Sequence, residues 1–167
     1  LTCNGIKLAF VWMRTDLGDN LNHNILLIDD NENFLSSTKR FLEADGFYVK
    51  AVSSGDEAEP LIRQNIIPFS LVLIDYNMPD RNGAAVTKKI KQYNEDLKVI
   101  TFSGDSSSSV YADTLEHGAS FVLSKDLEDE KILSVLHRIC RDIEKRTKPI
   151  VLPEVSENKK LIESCGM

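Results

Sequence analysis

The chain has 167 residues, 42% of them hydrophobic, and its 20 basic and 26 acidic residues give a formal net charge of −6. A chain of this length suits one hydrophobic core better than two. The excess of acidic residues argues against direct binding of nucleic acid, and the sequence shows no cluster of basic residues interspersed with aromatic ones.

The two ends of the chain differ in composition from the middle. An apolar run at residues 6–13 is far shorter than the roughly 20 residues that a membrane-spanning helix needs, and no small-residue cleavage site follows it. We therefore expect an N-terminal extension or linker over residues 1–23, one domain over 24–147 and a polar tail over 148–167. Neither a membrane span nor a signal peptide is expected.

The three cysteines, Cys3, Cys140 and Cys165, are odd in number and lie far apart in the sequence. Their spacing fits neither a zinc site nor a disulfide framework. Reduced thiols are therefore expected, and with them a cytoplasmic location.

The middle segment alternates between strand patterns and helix patterns. The predicted strands cover residues 25–28, 47–52, 71–74, 97–102 and 121–123, and a helical pattern follows each of them. Asp30 or Asn31 can cap the first helix, and Ser54 begins a capping box for the second. Later helices are expected from Ala84, Val110 and about Leu127. Five βα units predict an α/β fold, with a parallel sheet covered by helices on both faces.

Polar side chains follow four of the predicted strands. The first strand ends in Asp29 and Asp30, the third in Asp75, the fourth in Ser103 and the fifth in Lys125. In a doubly wound sheet of order 2-1-3-4-5, the switch point lies between the first and third strands, where such groups meet in one crevice. The sequence therefore predicts a functional site at this edge of the sheet.

The three carboxylates of this edge predict a metal site. Carboxylates about 4–5 Å apart repel by roughly 3–4 kcal/mol at an effective dielectric constant near 20, and a cation relieves that repulsion. An all-oxygen site with room for phosphate oxygens suits Mg²⁺, and Mn²⁺ can replace it. A hydroxyl and an ammonium on the opposite side, Ser103 and Lys125, are groups suited to binding a phosphoryl group carried by a nucleophilic carboxylate.

These residues make the chain similar to a known family. Over about residues 24–147 it resembles the receiver domain of bacterial two-component response regulators, through Asp29 and Asp30, the run Asp75-Tyr-Asn-Met-Pro-Asp-Arg-Asn-Gly83, Ser103 and Lys125. The resemblance implies the flavodoxin-like receiver fold. It also implies a phosphorelay function in which Asp75 accepts a phosphoryl group from a partner's phosphohistidine.

The resemblance assigns a role to each matched residue. Asp29 and Asp30 would hold Mg²⁺ together with Asp75 and the backbone carbonyl of Asn77. Ser103 would be the switch hydroxyl, and Lys125 would contact the phosphoryl group.

The same resemblance implies the partners. They would be a sensor histidine kinase or a histidine phosphotransfer protein and a downstream protein target, and a homodimer after phosphorylation is one assembly that it allows. The chain would not be an enzyme acting on other molecules, since it would catalyse only its own phosphorylation and dephosphorylation.

The sequence departs from the family pattern at two positions. Receiver domains usually carry Tyr or Phe three residues before the lysine, where this chain has Val122, with Phe121 one place earlier. The lysine is commonly followed by proline, where this chain has Asp126. The usual coupling between a switch hydroxyl and a rotating aromatic ring is therefore not expected in its common form.

Two alternatives come from other functional classes. A receiver fold can act as a binding module independent of phosphorylation, but such a module would be expected to lack the aspartate or the lysine, and Asp75 and Lys125 are both present. A dehalogenase-like phosphatase also uses an aspartate nucleophile and Mg²⁺, but it needs a second aspartate two residues on as general acid. Asn77 occupies that position.

Overall fold

The computed structural model describes residues 23–79, 81–105 and 107–147. Five strands and five helices alternate along these residues. The strands are β1 (Asn24–Ile28), β2 (Tyr48–Val52), β3 (Phe69–Asp75), β4 (Lys98–Ser103) and β5 (Phe121–Ser124). The helices are α1 (Glu32–Ala44), α2 (Gly55–Gln64), α3 (Gly83–Tyr93), α4 (Ser108–Glu116) and α5 (Asp129–Thr147).

The strands form one parallel sheet of order β2-β1-β3-β4-β5, which confirms the predicted doubly wound architecture. Ile28 pairs with Ile74, and Ser103 pairs with Ser124. Because the strands are parallel and in register, the residues that follow β1, β3, β4 and β5 reach the same edge of the sheet.

Alternate strand residues pack into two hydrophobic layers, one on each face of the sheet. On one face the side chains of β1, β3 and β4 pack against α1 and α5, where Leu42 and Leu136 are fully buried. On the other face they pack against α2 and α3. Strands buried on both faces read as continuous apolar runs, which explains why residues 25–28 and 71–74 lack alternation.

Side-chain caps fix where three of the helices begin. The side chain of Asn31 accepts hydrogen bonds from the backbone N–H groups of Asn33 and Phe34. Of the two predicted candidates, Asp30 and Asn31, Asn31 is therefore the cap of α1. The hydroxyl of Ser54 accepts from the N–H of Glu57 at the start of α2. Asn82 caps α3 in the same way.

Three helix starts differ from the prediction, and α3 differs least, since it begins at Gly83, one residue before the predicted Ala84. Helix α4 begins at Ser108, two residues before the predicted Val110, and α5 begins at Asp129, two residues after the predicted Leu127. Ser107, the described residue before α4, makes no side-chain cap bond, so no cap of this kind marks the first residue of that helix.

Two predicted segments lie outside the described residues: the N-terminal extension, apart from His23, and the tail at 148–167. Cys3 and Cys165 lie in these segments. Cys140 is a free thiol on α5, and burial raises its pKa to about 12. Within the described ranges, no helix combines the length and apolar composition that crossing a bilayer requires.

Candidate functional site

Three carboxylates meet at the carboxyl edge of the sheet. Asp29 and Asp30 follow β1, Asp75 ends β3, and one oxygen from each lies within 4.8 Å of the others. Asp29 and Asp75 are buried, whereas Asp30 is exposed. The structure therefore brings the predicted carboxylates together in an arrangement that could hold one divalent cation from the solvent side.

Lys125, directly after β5, bridges the two buried carboxylates. Its Nζ lies 2.6 Å from Oδ2 of Asp29 and 3.1 Å from Oδ1 of Asp75. Burial acts to lower the pKa of the ammonium, but the hydrogen bonds to both carboxylates outweigh burial and raise the pKa above its ordinary value. Lys125 therefore stays charged and offsets the repulsion between Asp29 and Asp75.

Two further contacts hold the groups of this cluster in place. Oδ1 of Asp29 accepts a hydrogen bond of 2.8 Å from the backbone N–H of Asn31, the cap of α1. The Nζ of Lys125 also lies 4.5 Å above the centre of the Phe34 ring, a favourable cation–π geometry. Helix α1 thus orients both members of the Asp29–Lys125 pair.

Opposing effects act on the carboxyl group of Asp75. Burial raises its pKa and is the largest effect, the nearby charge of Asp29 adds to it, and the hydrogen bond from Lys125 lowers the pKa. The backbone N–H of Asn77 also donates to this carboxylate. The net direction of the pKa is upward, as expected for a buried carboxylate with a like charge beside it.

Ser103 lies where the sequence predicts it, at the end of β4, and is buried. Its hydroxyl donates to the backbone carbonyl of Asp105 at 2.8 Å and accepts from the N–H of the same residue at 3.0 Å. The carbonyl of Ser103 accepts from the N–H of Lys125 at 3.0 Å. In this arrangement the side chain of Ser103 is engaged with the loop between β4 and α4.

The loop after Asp75 is held close to the start of α3. The N–H of Gly83 donates to the carbonyl of Tyr76 at 2.8 Å. A Cβ atom at position 83 would lie 2.3 Å from the backbone oxygen of Asp75, so only glycine fits there. The close turn at Gly83 thus holds the loop that carries Asn77 against Asp75, and the role of the Asn77 carbonyl as a metal ligand stays a prediction.

One contact of the site has no signal in the sequence. The hydroxyl of Tyr76 donates to Oδ2 of Asp113, on α4, at 2.9 Å. This hydrogen bond raises the pKa of Tyr76, so the hydroxyl remains a donor. It joins the loop after Asp75 to a helix 37 residues further along the chain.

The two departures from the family pattern take different forms in the structure. Val122 is partly buried and pairs with Thr101 on β4, whereas the ring of Phe121 is 47% exposed. The N–H of Asp126 donates to the hydroxyl of Ser124 at 3.1 Å, which supports the loop after Lys125 without a proline.

Comparison with known proteins agrees with this geometry. A family model described as the response regulator receiver domain matches residues 25–137. The chain belongs to the receiver domain family. Its members include the response regulator UvrY of Escherichia coli strain K12, to which this receiver domain is 30% identical over 119 residues, or 70% of this chain and 53% of the relative. The chain thus spans about half the length of the curated relatives it matches.

Solved structures resemble the receiver domain over most of its length. A CheY-like response regulator receiver domain protein from Methanospirillum hungatei JF-1 has a TM-score of 0.70 and 27% identity, covering 75% of this chain and 99% of that one. A response regulator protein from Burkholderia pseudomallei has a TM-score of 0.63 and 26% identity, covering 78% and 77%. That protein was crystallised with a phosphorylated aspartic acid, a calcium ion and citrate.

Proposed function

We propose that this receiver domain is the phosphoacceptor of a two-component or phosphorelay system, with Asp75 as the residue that is phosphorylated. The observation that carries the proposal is the assembly of three carboxylates and one ammonium at a single edge of the sheet. The phosphorylated aspartic acid in the structure of the Burkholderia pseudomallei relative supports it.

The chemistry is a phosphoryl transfer to a carboxylate oxygen. An oxygen of Asp75 attacks the phosphorus of a partner's phosphohistidine, a P–O bond forms as the P–N bond breaks, and the electron pair stays on the imidazole nitrogen, which takes up a proton. Lys125, already in contact with Asp75, provides a fixed positive charge for the transferred oxygens. The hydroxyl of Ser103 would leave Asp105 and donate to the phosphoryl group.

The donor set fits Mg²⁺. Asp29, Asp30, Asp75 and the backbone carbonyl of Asn77 would hold the ion, since all are oxygen ligands and the exposed side of Asp30 leaves room for water and phosphoryl oxygens. A bound Mg²⁺ would neutralise charge on the phosphoryl oxygens. By this proposal the domain catalyses only its own phosphorylation and the hydrolysis that reverses it.

The partners follow from the same chemistry. A sensor histidine kinase or a histidine phosphotransfer protein would supply the phosphoryl group, and a protein target would respond to it. A cytoplasmic location is part of the proposal, since a histidine kinase presents its phosphohistidine on that side of the membrane.

Incubation with acetyl phosphate and Mg²⁺, followed by a Phos-tag gel, tests the proposal. The parent chain should shift to a slower band and Asp75→Asn should not, because an amide has nearly the same shape as a carboxylate but is not a nucleophile. Asp96→Asn, an exposed aspartate in the turn before β4, is the matched control and should shift like the parent.

Two results would contradict this function. Full modification of Asp75→Asn would place the nucleophile elsewhere. No shift in the parent chain, with circular dichroism showing that it is folded, would favour a binding module that acts without phosphorylation.

A further inference from the structure

Tyr76 connects the site to α4 directly. It follows Asp75 in the sequence, and its hydroxyl donates to Oδ2 of Asp113 at 2.9 Å. Both residues are partly buried, so water competes less for this bond than for one on the open surface. We call the pair Tyr76–Asp113 the α4 tether.

The tether is anchored at both ends. The backbone N–H of Tyr76 donates to the carbonyl of Phe102 at 2.8 Å, and its carbonyl accepts from Gly83 at 2.8 Å, so the residue is fixed to β4 and to the start of α3. His117, the residue after α4, contacts Asp113 twice, since its Nδ1 lies 2.7 Å from the backbone carbonyl oxygen and 3.3 Å from Oδ1, the oxygen that Tyr76 does not use.

The N-terminal end of α4 is linked to the site by a second route. Ser103 exchanges two hydrogen bonds with the backbone of Asp105. The carboxylate of Asp105 in turn accepts from the N–H of Ser107, 2.8 Å away, and from its hydroxyl at 3.1 Å. A movement of Ser103 toward Asp75 therefore acts on the residue that directly precedes α4.

The two routes oppose each other. If Ser103 donates to a phosphoryl group on Asp75, its hydroxyl must give up the hydrogen bond that it donates to the carbonyl of Asp105, and the link from Asp105 to the start of α4 is disturbed. The tether holds the middle of the same helix at its present distance from β3. The helix cannot follow the loop without lengthening or breaking the hydrogen bond between Tyr76 and Asp113.

We propose that the α4 tether stabilises the arrangement in which Ser103 is bound to Asp105, and so sets how much binding free energy a phosphoryl group must supply to move α4. The proposal rests on Asp75 being the phosphoacceptor. It assigns to Tyr76 and Asp113 a restraining role in a chain whose β5 carries Val122 instead of an aromatic residue.

Removing the tether should favour the switched arrangement. A ligand that binds only that arrangement binds more tightly when the competing arrangement loses a hydrogen bond. We expect Tyr76→Phe and Asp113→Ala each to bind beryllofluoride, a phosphoryl mimic, about threefold to tenfold more tightly than the parent in the presence of Mg²⁺. The double variant should match either single variant, because both remove the same bond.

The matched control is Tyr93→Phe. The hydroxyl of Tyr93 also donates to a carboxylate, Oε1 of Glu59, at 2.8 Å, but that pair joins α3 to α2 and does not touch α4. Its loss should leave the affinity for beryllofluoride unchanged. Isothermal titration calorimetry measures all of these affinities.

Backbone amide exchange of α4 without beryllofluoride gives an independent readout, since exchange there should be faster in Tyr76→Phe than in Tyr93→Phe. Unchanged or weaker beryllofluoride binding in both single variants would overturn the proposal, as would additive effects in the double variant. A parent chain that binds no beryllofluoride would overturn the phosphoacceptor function and this regulatory role together. The exchange data would then still show whether the tether stabilises α4.

Discussion

Gly83 illustrates how a single backbone position shapes the site. A Cβ atom there would lie 2.3 Å from the carbonyl oxygen of Asp75 and 2.9 Å from Cα of Tyr76, so the loop or the helix would have to move. We expect Gly83→Ala to lower the free energy of unfolding by about 1–3 kcal/mol, the usual range for overpacking, and to weaken Mg²⁺ binding. Urea denaturation monitored by circular dichroism measures the first effect.

Gly104 provides the control for that substitution. A Cβ atom at Gly104 would have no neighbour within 4 Å among the residues that the structure describes, so Gly104→Ala should not destabilise the fold. Equal losses in the two variants would show that close contact at Gly83 is not the cause.

The sequence predicts the identity of the site residues better than their contacts. Asp29, Asp75 and Lys125 are identifiable because each ends a recognisable strand, and the order of the sheet then brings them together. The bridging position of Lys125 between both carboxylates, and the bond from Tyr76 to Asp113, depend on side-chain directions across different elements. No sequence spacing encodes such directions.

At the scale of single elements, β5 carries one of the two departures from the family pattern, Val122. A phosphoryl group on Asp75 should draw Ser103 and the following loop inward, and in the usual receiver domain an aromatic ring at the position of Val122 fills the vacated space. Valine cannot make that movement. We therefore expect beryllofluoride to raise self-association or the affinity for the kinase partner by about tenfold or less in the parent chain.

Val122→Tyr should restore a larger response. The position pairs with Thr101, whose buried hydroxyl has no hydrogen-bond partner within the described ranges, so the introduced ring would lie beside a polar group with an unused hydrogen-bonding capacity. Analytical ultracentrifugation with and without beryllofluoride compares the two chains. Phe121→Ala, which changes the exposed neighbouring ring, is the control.

A parent response well above tenfold would contradict this interpretation of β5. Loss of that response in Phe121→Ala would then identify Phe121 as the residue that transmits the signal.

Element boundaries were predictable where a side chain defines them. Asn31 and Ser54 make the capping bonds that their positions suggest, and Gly46 and Gly118, both with positive φ, follow the ends of α1 and α4. A proline inside a helix lacks one backbone donor and so favours a kink or a later helix start, yet α2 begins at Gly55 and continues through Pro60. The cap at Ser54 and the burial of Ala58 and Ile62 favour the earlier start despite the missing N–H.

For the whole molecule, we expect the carboxylate cluster to make the stability of the fold depend on divalent cations. An ion that binds only the folded chain stabilises it, and at ten times its Kd the gain is about 1.4 kcal/mol. We expect Mg²⁺ to raise the Tm by about 3–6 °C at that concentration. Asp30→Ala should lose this increase, while its Tm without Mg²⁺ stays equal or rises because one like charge is removed.

Differential scanning calorimetry in Mg²⁺ and in EDTA measures both effects. Asp96→Ala, which removes an exposed carboxylate far from the cluster in the turn before β4, should keep the full response to Mg²⁺. An unchanged response in Asp30→Ala would show that the ion binds without this residue.

The overall architecture was predictable because alternation of strands and helices leaves few ways to build one sheet. Short connections and right-handed crossovers restrict the strand order, and the fully apolar runs of β1 and β3 mark the strands buried on both faces. Pairs such as His137 with Asp45, separated by 92 residues, could not be predicted, because the packing of α5 against the end of α1 determines them.

The bridge that Lys125 makes to Asp29 and Asp75 has a consequence for how the chain matures. The two carboxylates belong to β1 and β3, whereas the ammonium that offsets their repulsion follows β5, 96 residues after Asp29. During synthesis on the ribosome both acids emerge before their counter-charge. A nascent chain that stops short of Lys125 therefore lacks the ammonium that offsets the repulsion between Asp29 and Asp75, and only a polypeptide with its fifth strand in place can assemble the complete charge cluster.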